Sequence, residues 1–274
     1  MMLSGHSILA AARGALLDVE ALALPAACLG CERPLRPVDE PGVVCSPCLC
    51  RLRSIAPPWC GRCGQPMDRW DVGVAAPARS LGRTARPAPS LATPRPGCQF
   101  CRQWPAELSW AASAVWLDDG PARELVHALK YGGWRVAARP MASVMARECA
   151  SALRGVDALV PIPLGRVRRR ERGHNQAAEL AAVLGALLGV TVVEDALARS
   201  RDTKTQTALP PAARLRNVSG AFRPGSRRLE GLSVAIVDDV LTTGATLGAA
   251  ARALAETGAG RMGAVTFGRA LVPQ

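Results

Sequence analysis

The residues with the clearest chemical potential lie at positions 234–247, VAIVDDVLTTGATL. An apolar run of buried-strand type ends in two adjacent carboxylates, Asp238 and Asp239, and a turn rich in Thr and Gly leads into Ala-rich, helix-forming sequence. Carboxylates accept hydrogen bonds from sugar hydroxyls. The N–H groups of such a turn, the hydroxyls of Thr242, Thr243 and Thr246, and the positive end of the following helix suit a phosphate. A lone acid pair commonly does no more than cap a helix. The full order of strand, acids, hydroxyl loop and helix points instead to a bound sugar phosphate.

A second chemistry is written in cysteine. Of ten cysteines, eight form four C-x-x-C pairs: Cys28/Cys31, Cys45/Cys48, Cys60/Cys63 and Cys98/Cys101. A two-residue gap lets both thiolates of a pair reach one metal, and two pairs complete a tetrahedral site. Pairing in sequence order predicts two structural zinc ions, the first on Cys28, Cys31, Cys45 and Cys48 and the second on Cys60, Cys63, Cys98 and Cys101. Cys50 is close enough to Cys48 to compete for the first site, and Cys149 reads as a buried apolar residue. Gly30 and Gly64 suit the positive-φ positions of such turns. With four sulfurs on each metal, no coordination position stays open for catalysis.

These groups need a scaffold, and the chain supplies two kinds of sequence for it. After Trp104, residues 111–117, 158–163, 232–238 and 261–269 read as strands, and 121–130, 135–153, 175–188 and 245–257 as helices. Such alternation predicts a parallel sheet with helices on both faces, and ligands bind at the carboxyl ends of its strands. Hydrophobic residues make up 49% of the 274 positions and aromatics 4%, so the core is built from Ala, Leu and Val, as helices packed on a parallel sheet require. Residues 76–96 carry five prolines and no periodicity, which predicts a flexible insert over 68–97.

Charge narrows the partners. Thirty-two arginines and two lysines, Lys130 and Lys204, give a net charge of +12, which attracts polyanions at low salt. Arg168, Arg169, Arg170 and Arg172 form the densest basic run. Tyr131 is the single tyrosine and there are three phenylalanines, so no aromatic stacking platform for single strands is expected. No apolar run has the length of a membrane span. Residues 7–24 are interrupted by Arg13, Asp18 and Glu20, which predicts an amphipathic helix rather than a signal peptide and a cytoplasmic protein.

The 234–247 run resembles the phosphoribosyl-pyrophosphate (PRPP) motif of type I phosphoribosyltransferases. The resemblance implies that Asp238 and Asp239 take the ribose hydroxyls and that Thr242, Thr243, Gly244, Ala245 and Thr246 take the 5′-phosphate. Residues 127–132 (HALKYG), 160–177 (VPIPLGRVRRRERGHNQA) and 199–222 (RSRDTKTQTALPPAARLRNVSGAF), with the cysteine pairs, resemble the ComF family of late-competence proteins. Two departures are His174, where relatives commonly carry an aromatic residue, and the long insert.

ComF resemblance implies an α/β, type I phosphoribosyltransferase fold over 104–274, preceded by a helix at 1–27 and a double zinc ribbon at 28–103. It implies Mg²⁺ bound with PRPP, a pyrophosphate loop at Leu164, Gly165 and Arg166, and a closing loop at 199–222. Arg199, Arg201, Thr203, Gln206 and Leu209 match the family spacing there. Asp238, Asp239, Arg166 and Lys204 become the catalytic candidates, with Lys130 and Tyr131 near the entrance. The acceptor is unnamed. Implied partners are single-stranded DNA and a competence helicase, and a PRPP sensor or zinc-ribbon adaptor without turnover is the competing reading.

Overall fold

The computed structural model describes residues 27–35, 42–66, 98–201 and 220–270. The expected helix at 1–27 (all but Ala27), the insert at 68–97, and Lys204, Thr203, Gln206 and Leu209 lie outside the described residues.

Five strands form one parallel sheet: β1 (Trp110–Leu117), β2 (Ala158–Pro161), β3 (Thr191–Val192), β6 (Val234–Leu241) and β7 (Met262–Ala270), in the order β1-β7-β6-β2-β3. A short antiparallel hairpin, β4 (Leu197–Arg199) with β5 (Phe222–Pro224), stands apart. From β2 the chain winds outward to β3, and from β6 it winds the other way to β7. The reversal falls between β2 and β6, where open α/β sheets bind ligands.

Alternate residues of the central strands feed two cores, as a sheet covered on both faces requires. Ala235 and Val237 of β6 pack with α2 (Pro121–Tyr131), α3 (Ala138–Glu148) and α6 (Gln176–Leu188). Val234 and Ile236 pack on the opposite face with α7 (Ala245–Ala255) and the hairpin. The helix expected over 135–153 is broken into a 3₁₀ turn at Arg135–Ala137, α3, and a short α4 (Ala150–Leu153). Cys149 leaves the helical region (φ −104°, ψ 10°), and the bend lets Cys149, Ser151, Ala152 and Leu153 all bury.

Two further elements differ from expectation. The stretch after Pro163 is a helix, α5 (Arg166–Arg172), and buries none of its residues. Strand β6 does not end at the acid pair but runs on to Leu241, because its pairing with β7 continues through Asp238↔Thr266 to Leu241↔Arg269. On its other side β2 stops at Pro161, and Pro163 has no N–H with which to extend the ladder. The end of β6 therefore outruns β2, which leaves Asp238 at the rim of a crevice.

The two cysteine modules repeat one design. Cys28 N–H donates to Arg33 O (2.8 Å) and Cys60 N–H to Gln65 O (2.7 Å), inside matching bridges Ala27↔Pro34 and Trp59↔Pro66. The first module, with α1 (Ser46–Cys50), joins the core on the α2 face, and the second joins the core on the α7 face. The connection between them runs along the outer edge of β1, where Trp116 N–H donates to Arg53 O (2.8 Å) and Ala111 N–H to Arg62 O (2.7 Å). Those bonds cover a strand edge that would otherwise offer unpaired backbone groups.

Candidate functional site

At the crevice the acid pair splits by side-chain alternation. Asp238 is half-buried at the rim, and its Oδ1 accepts the backbone N–H of Asp239 (2.9 Å). Asp239 is only 3% exposed and points the other way, where its Oδ2 pairs with Lys130 Nζ and its Oδ1 accepts from Gln176 Nε2 (3.2 Å). Burial works against charge on both Lys130 and Asp239. Their mutual attraction outweighs it, holding Lys130 above its ordinary value and Asp239 below the usual carboxylate range. Asp238 is less well compensated: burial, and then the adjacent charge of Asp239, outweigh the attraction of Lys130 and push it up to about 8.

The loop after β6 turns at Gly244, whose φ of +80° favours glycine, and α7 begins at Ala245. Thr243 Oγ1 accepts from Ala245 N–H (3.4 Å), and Thr242, Thr243 and Thr246 are all half-buried. Across the crevice, Leu164 and Gly165 follow the end of β2, and Gly165 precedes α5 in ordinary extended backbone (φ −67°). Arg166 is exposed at the start of α5. Asn175 secures this side: its Oδ1 caps α6 through Ala177 N–H (3.1 Å) and its Nδ2 donates to Ile162 O (3.0 Å).

The structure thus brings Asp238, Asp239, Thr242, Thr243, Gly244, Ala245, Thr246, Leu164, Gly165 and Arg166 to the carboxyl ends of two adjacent strands. Lys204 is outside the described residues, but both ends of its segment are anchored at the same rim. Arg199 Nη1 donates to Pro163 O (3.3 Å), and Ser200 N–H donates to Ala221 O (2.9 Å).

Each set of four cysteines converges, with every Sγ within 4.8 Å of the others in its set. The contacts Cys31–Cys45 (3.7 Å), Cys63–Cys98 (3.6 Å) and Cys60–Cys101 (3.8 Å) match the tetrahedral edge of about 3.8 Å that Zn–S bonds of about 2.3 Å imply. In the first cluster, burial opposes ionisation of Cys28. Donation from Cys45 N–H (3.2 Å) and Gly30 N–H (3.3 Å) outweighs it and lowers the thiol to about 7, which favours the metal-binding thiolate. The donor sets fit structural zinc. Cys50 is exposed and outside the first cluster, and Cys149 is fully buried.

Of the two glycines expected to take positive φ, Gly64 does so (+68°) and Gly30 does not. Gly30 is needed for closeness, since a Cβ there would sit 3.1 Å from Cys48 Sγ and from Pro121. In the first module the positive φ falls on Glu32 (+59°), the counterpart of Gly64.

Three features escaped the sequence reading. Gln176 and Lys130 converge on Asp239 from two helices. Trp104, next to the last cysteine pair, donates its indole N–H to Thr243 O (2.9 Å) in the phosphate-type loop. Tyr131 and Trp134 are 60% and 43% exposed, with Arg172 over the Tyr131 ring (4.9 Å) and His127 against it (5.1 Å), so an aromatic surface flanked by arginine does exist. Only the segment HALKYG, which carries Lys130 and Tyr131, hinted at the first and third, and nothing in the sequence pointed to the second.

Comparison with known proteins adds an independent line. Residues 141–270 match the phosphoribosyl transferase domain, and residues 19–78 match the double zinc ribbon domain. The chain is 30% identical over 243 residues to the DNA utilization protein YhgH of Salmonella typhimurium, covering 87% of this chain and 94% of that protein. It is 35% identical to Competence protein F of Haemophilus influenzae over 37% of this chain and 45% of that protein. It is 37% identical to Competence protein ComFC of Bacillus subtilis over 36% and 39% respectively. No helix among the described residues is long and apolar enough to cross a membrane.

Proposed function

As this chain belongs to the ComF family, with a type I phosphoribosyltransferase fold and a double zinc ribbon, we propose that it binds PRPP with Mg²⁺ and acts in the uptake of DNA during transformation. The observation that carries the reading is the meeting of an acid pair and a hydroxyl-lined helix start at the β2/β6 reversal. Asp238, at the rim, accepts from the ribose hydroxyls. Asp239 shapes the same wall from behind, its charge balanced by Lys130. The N–H groups of the 243–246 turn and the hydroxyls of Thr242, Thr243 and Thr246 hold the 5′-phosphate. Leu164 and Gly165 supply backbone donors to the pyrophosphate, and Arg166 and Lys204 supply positive charge.

In turnover, the bond from C1 to the pyrophosphate oxygen breaks and a bond from C1 to the acceptor nucleophile forms, with pyrophosphate leaving. Charge develops on the leaving group, so arginine and lysine donors near it favour the transition state. Bound Mg²⁺ supplies further neutralisation of the pyrophosphate. Calorimetry with Mg²⁺-PRPP tests the site: the wild type binds, and Asp238→Asn/Asp239→Asn loses at least tenfold in affinity. A silent wild type would end this reading, and pyrophosphate release from bound PRPP would separate a transferase from a sensor.

A second reading, direct handling of single-stranded DNA, is favoured by one observation. Tyr131 presents an exposed ring with Arg172 of α5 over it, the combination on which bases stack while phosphates pair with guanidinium groups, and Trp134, three residues on, is exposed as well.

A further inference from the structure

Trp104 follows the last cysteine pair in the chain, yet it is built into the phosphate-type loop after β6. Its backbone N–H donates to Cys101 O (3.0 Å), so the residue is tied to the second cysteine cluster. Arg62 holds the same turn by donating to Cys101 O (3.1 Å) and Pro105 O (2.6 Å). From this base the indole, 7% exposed, reaches the loop after β6 and donates to Thr243 O (2.9 Å). The fit is tight: a Cβ on Gly244 would come within 2.4 Å of the indole, and one on Gly248 within 2.9 Å of Pro105.

Packing alone needs no hydrogen bond to Thr243, and the bond has a geometric consequence. The carbonyl of Thr243 and the N–H of Gly244 belong to one planar trans peptide, in which they point in opposite directions. Fixing the carbonyl on the indole therefore aims the Gly244 N–H away from Trp104. We propose that Trp104 is a positioning residue, through which the second cysteine cluster locks the Thr243–Gly244 peptide in the orientation that donates to a 5′-phosphate. This rests on the sugar-phosphate reading of the loop. It assigns to the ribbon a role in ligand grip as well as in stability.

The test is Trp104→Phe, which keeps a ring in the packing and removes the N–H donor. Affinity for ribose 5-phosphate falls about fivefold to tenfold, the scale of one buried hydrogen bond, while affinity for inorganic pyrophosphate, held by the opposite wall, and zinc content stay as in the wild type. Unchanged ribose 5-phosphate affinity, or parallel loss of both ligands, overturns the proposal.

Amide exchange at Gly248, whose N–H donates to Gly244 O (2.8 Å), gives a ligand-free readout. It quickens severalfold in Trp104→Phe if the indole holds the loop, and unchanged exchange overturns the proposal. If the wild type binds no ribose 5-phosphate, the sugar-phosphate reading fails on its own, and the Gly248 rate still decides the role of Trp104. Should the variant not fold, the indole N–H resonance of wild-type Trp104 serves instead. It shifts with ribose 5-phosphate and not with pyrophosphate, and the reverse pattern overturns the proposal.

Discussion

Asp238 and Asp239 share a residue type and a place in the chain, but one strand step sends them into opposite surroundings. Asp239 enters the core and survives as a charge because Lys130 and Gln176 meet it there. Removing one partner of a buried pair leaves an uncompensated charge, so Lys130→Met is expected to cost about 3 kcal/mol. Urea unfolding measures this, and Lys130→Met combined with Asp239→Asn should recover most of the loss. Equal stability of the single variant would show that the pair is not what stabilises Asp239.

Asp238 behaves differently. Raised to about 8, it is largely protonated at neutral pH in the free protein and gains its charge as pH rises through that value. The ionised carboxylate is the better acceptor for ribose hydroxyls, so ribose 5-phosphate affinity should increase from pH 7 to pH 8.5 and then level. Titration calorimetry across this range checks it, and Asp238→Asn should flatten the profile. The residue types were legible in the sequence, but their division of labour was not. Lys130 and Gln176 lie more than 60 positions from Asp239, and only the fold brings them to it.

At the scale of elements, strand β6 and its loop were readable because a buried parallel strand is a continuous apolar run and the turn chemistry follows it directly. The end of the strand was not, since pairing with β7 rather than the sequence of β6 sets it. Helix α5 was missed for a related reason: it buries nothing, so it carries no apolar period to read. The cysteine modules show the converse, a repeat that is plain once superposed. Glu32 occupies the left-handed position that Gly64 fills in the second module, at φ +59° against +68°. Only glycine adopts that region without steric cost, so Glu32→Gly should stabilise the protein by about 1 kcal/mol. The midpoint of chemical unfolding reads this directly, and a destabilised variant would mean that the Glu32 side chain makes a compensating contact.

The whole molecule joins two metal modules to the two faces of one sheet, with the connecting segment closing the β1 edge. Its net charge of +12 is carried almost wholly by arginine. If single-stranded DNA binds, affinity should fall steeply between 50 and 200 mM salt, by the rule that each phosphate contact releases a counterion. Tyr131→Ala should weaken that binding by about 1–3 kcal/mol without changing the salt slope, because stacking is not a charge effect. A fluorescence titration at several salt concentrations measures both, and a slope near zero would rule out arginine–phosphate contact.

By itself the sequence determined the two chemistries and the class of fold. Paired cysteines, an acid pair before a hydroxyl loop, and the alternation of apolar runs are local patterns that survive in one dimension. Tertiary structure alone decided which acid faces the crevice, which helices support it, and that one cysteine module reaches the phosphate-type loop through Trp104. Those outcomes depend on contacts between residues as far apart as Trp104 and Thr243, which only packing of the sheet and its two covers can bring within hydrogen-bond range.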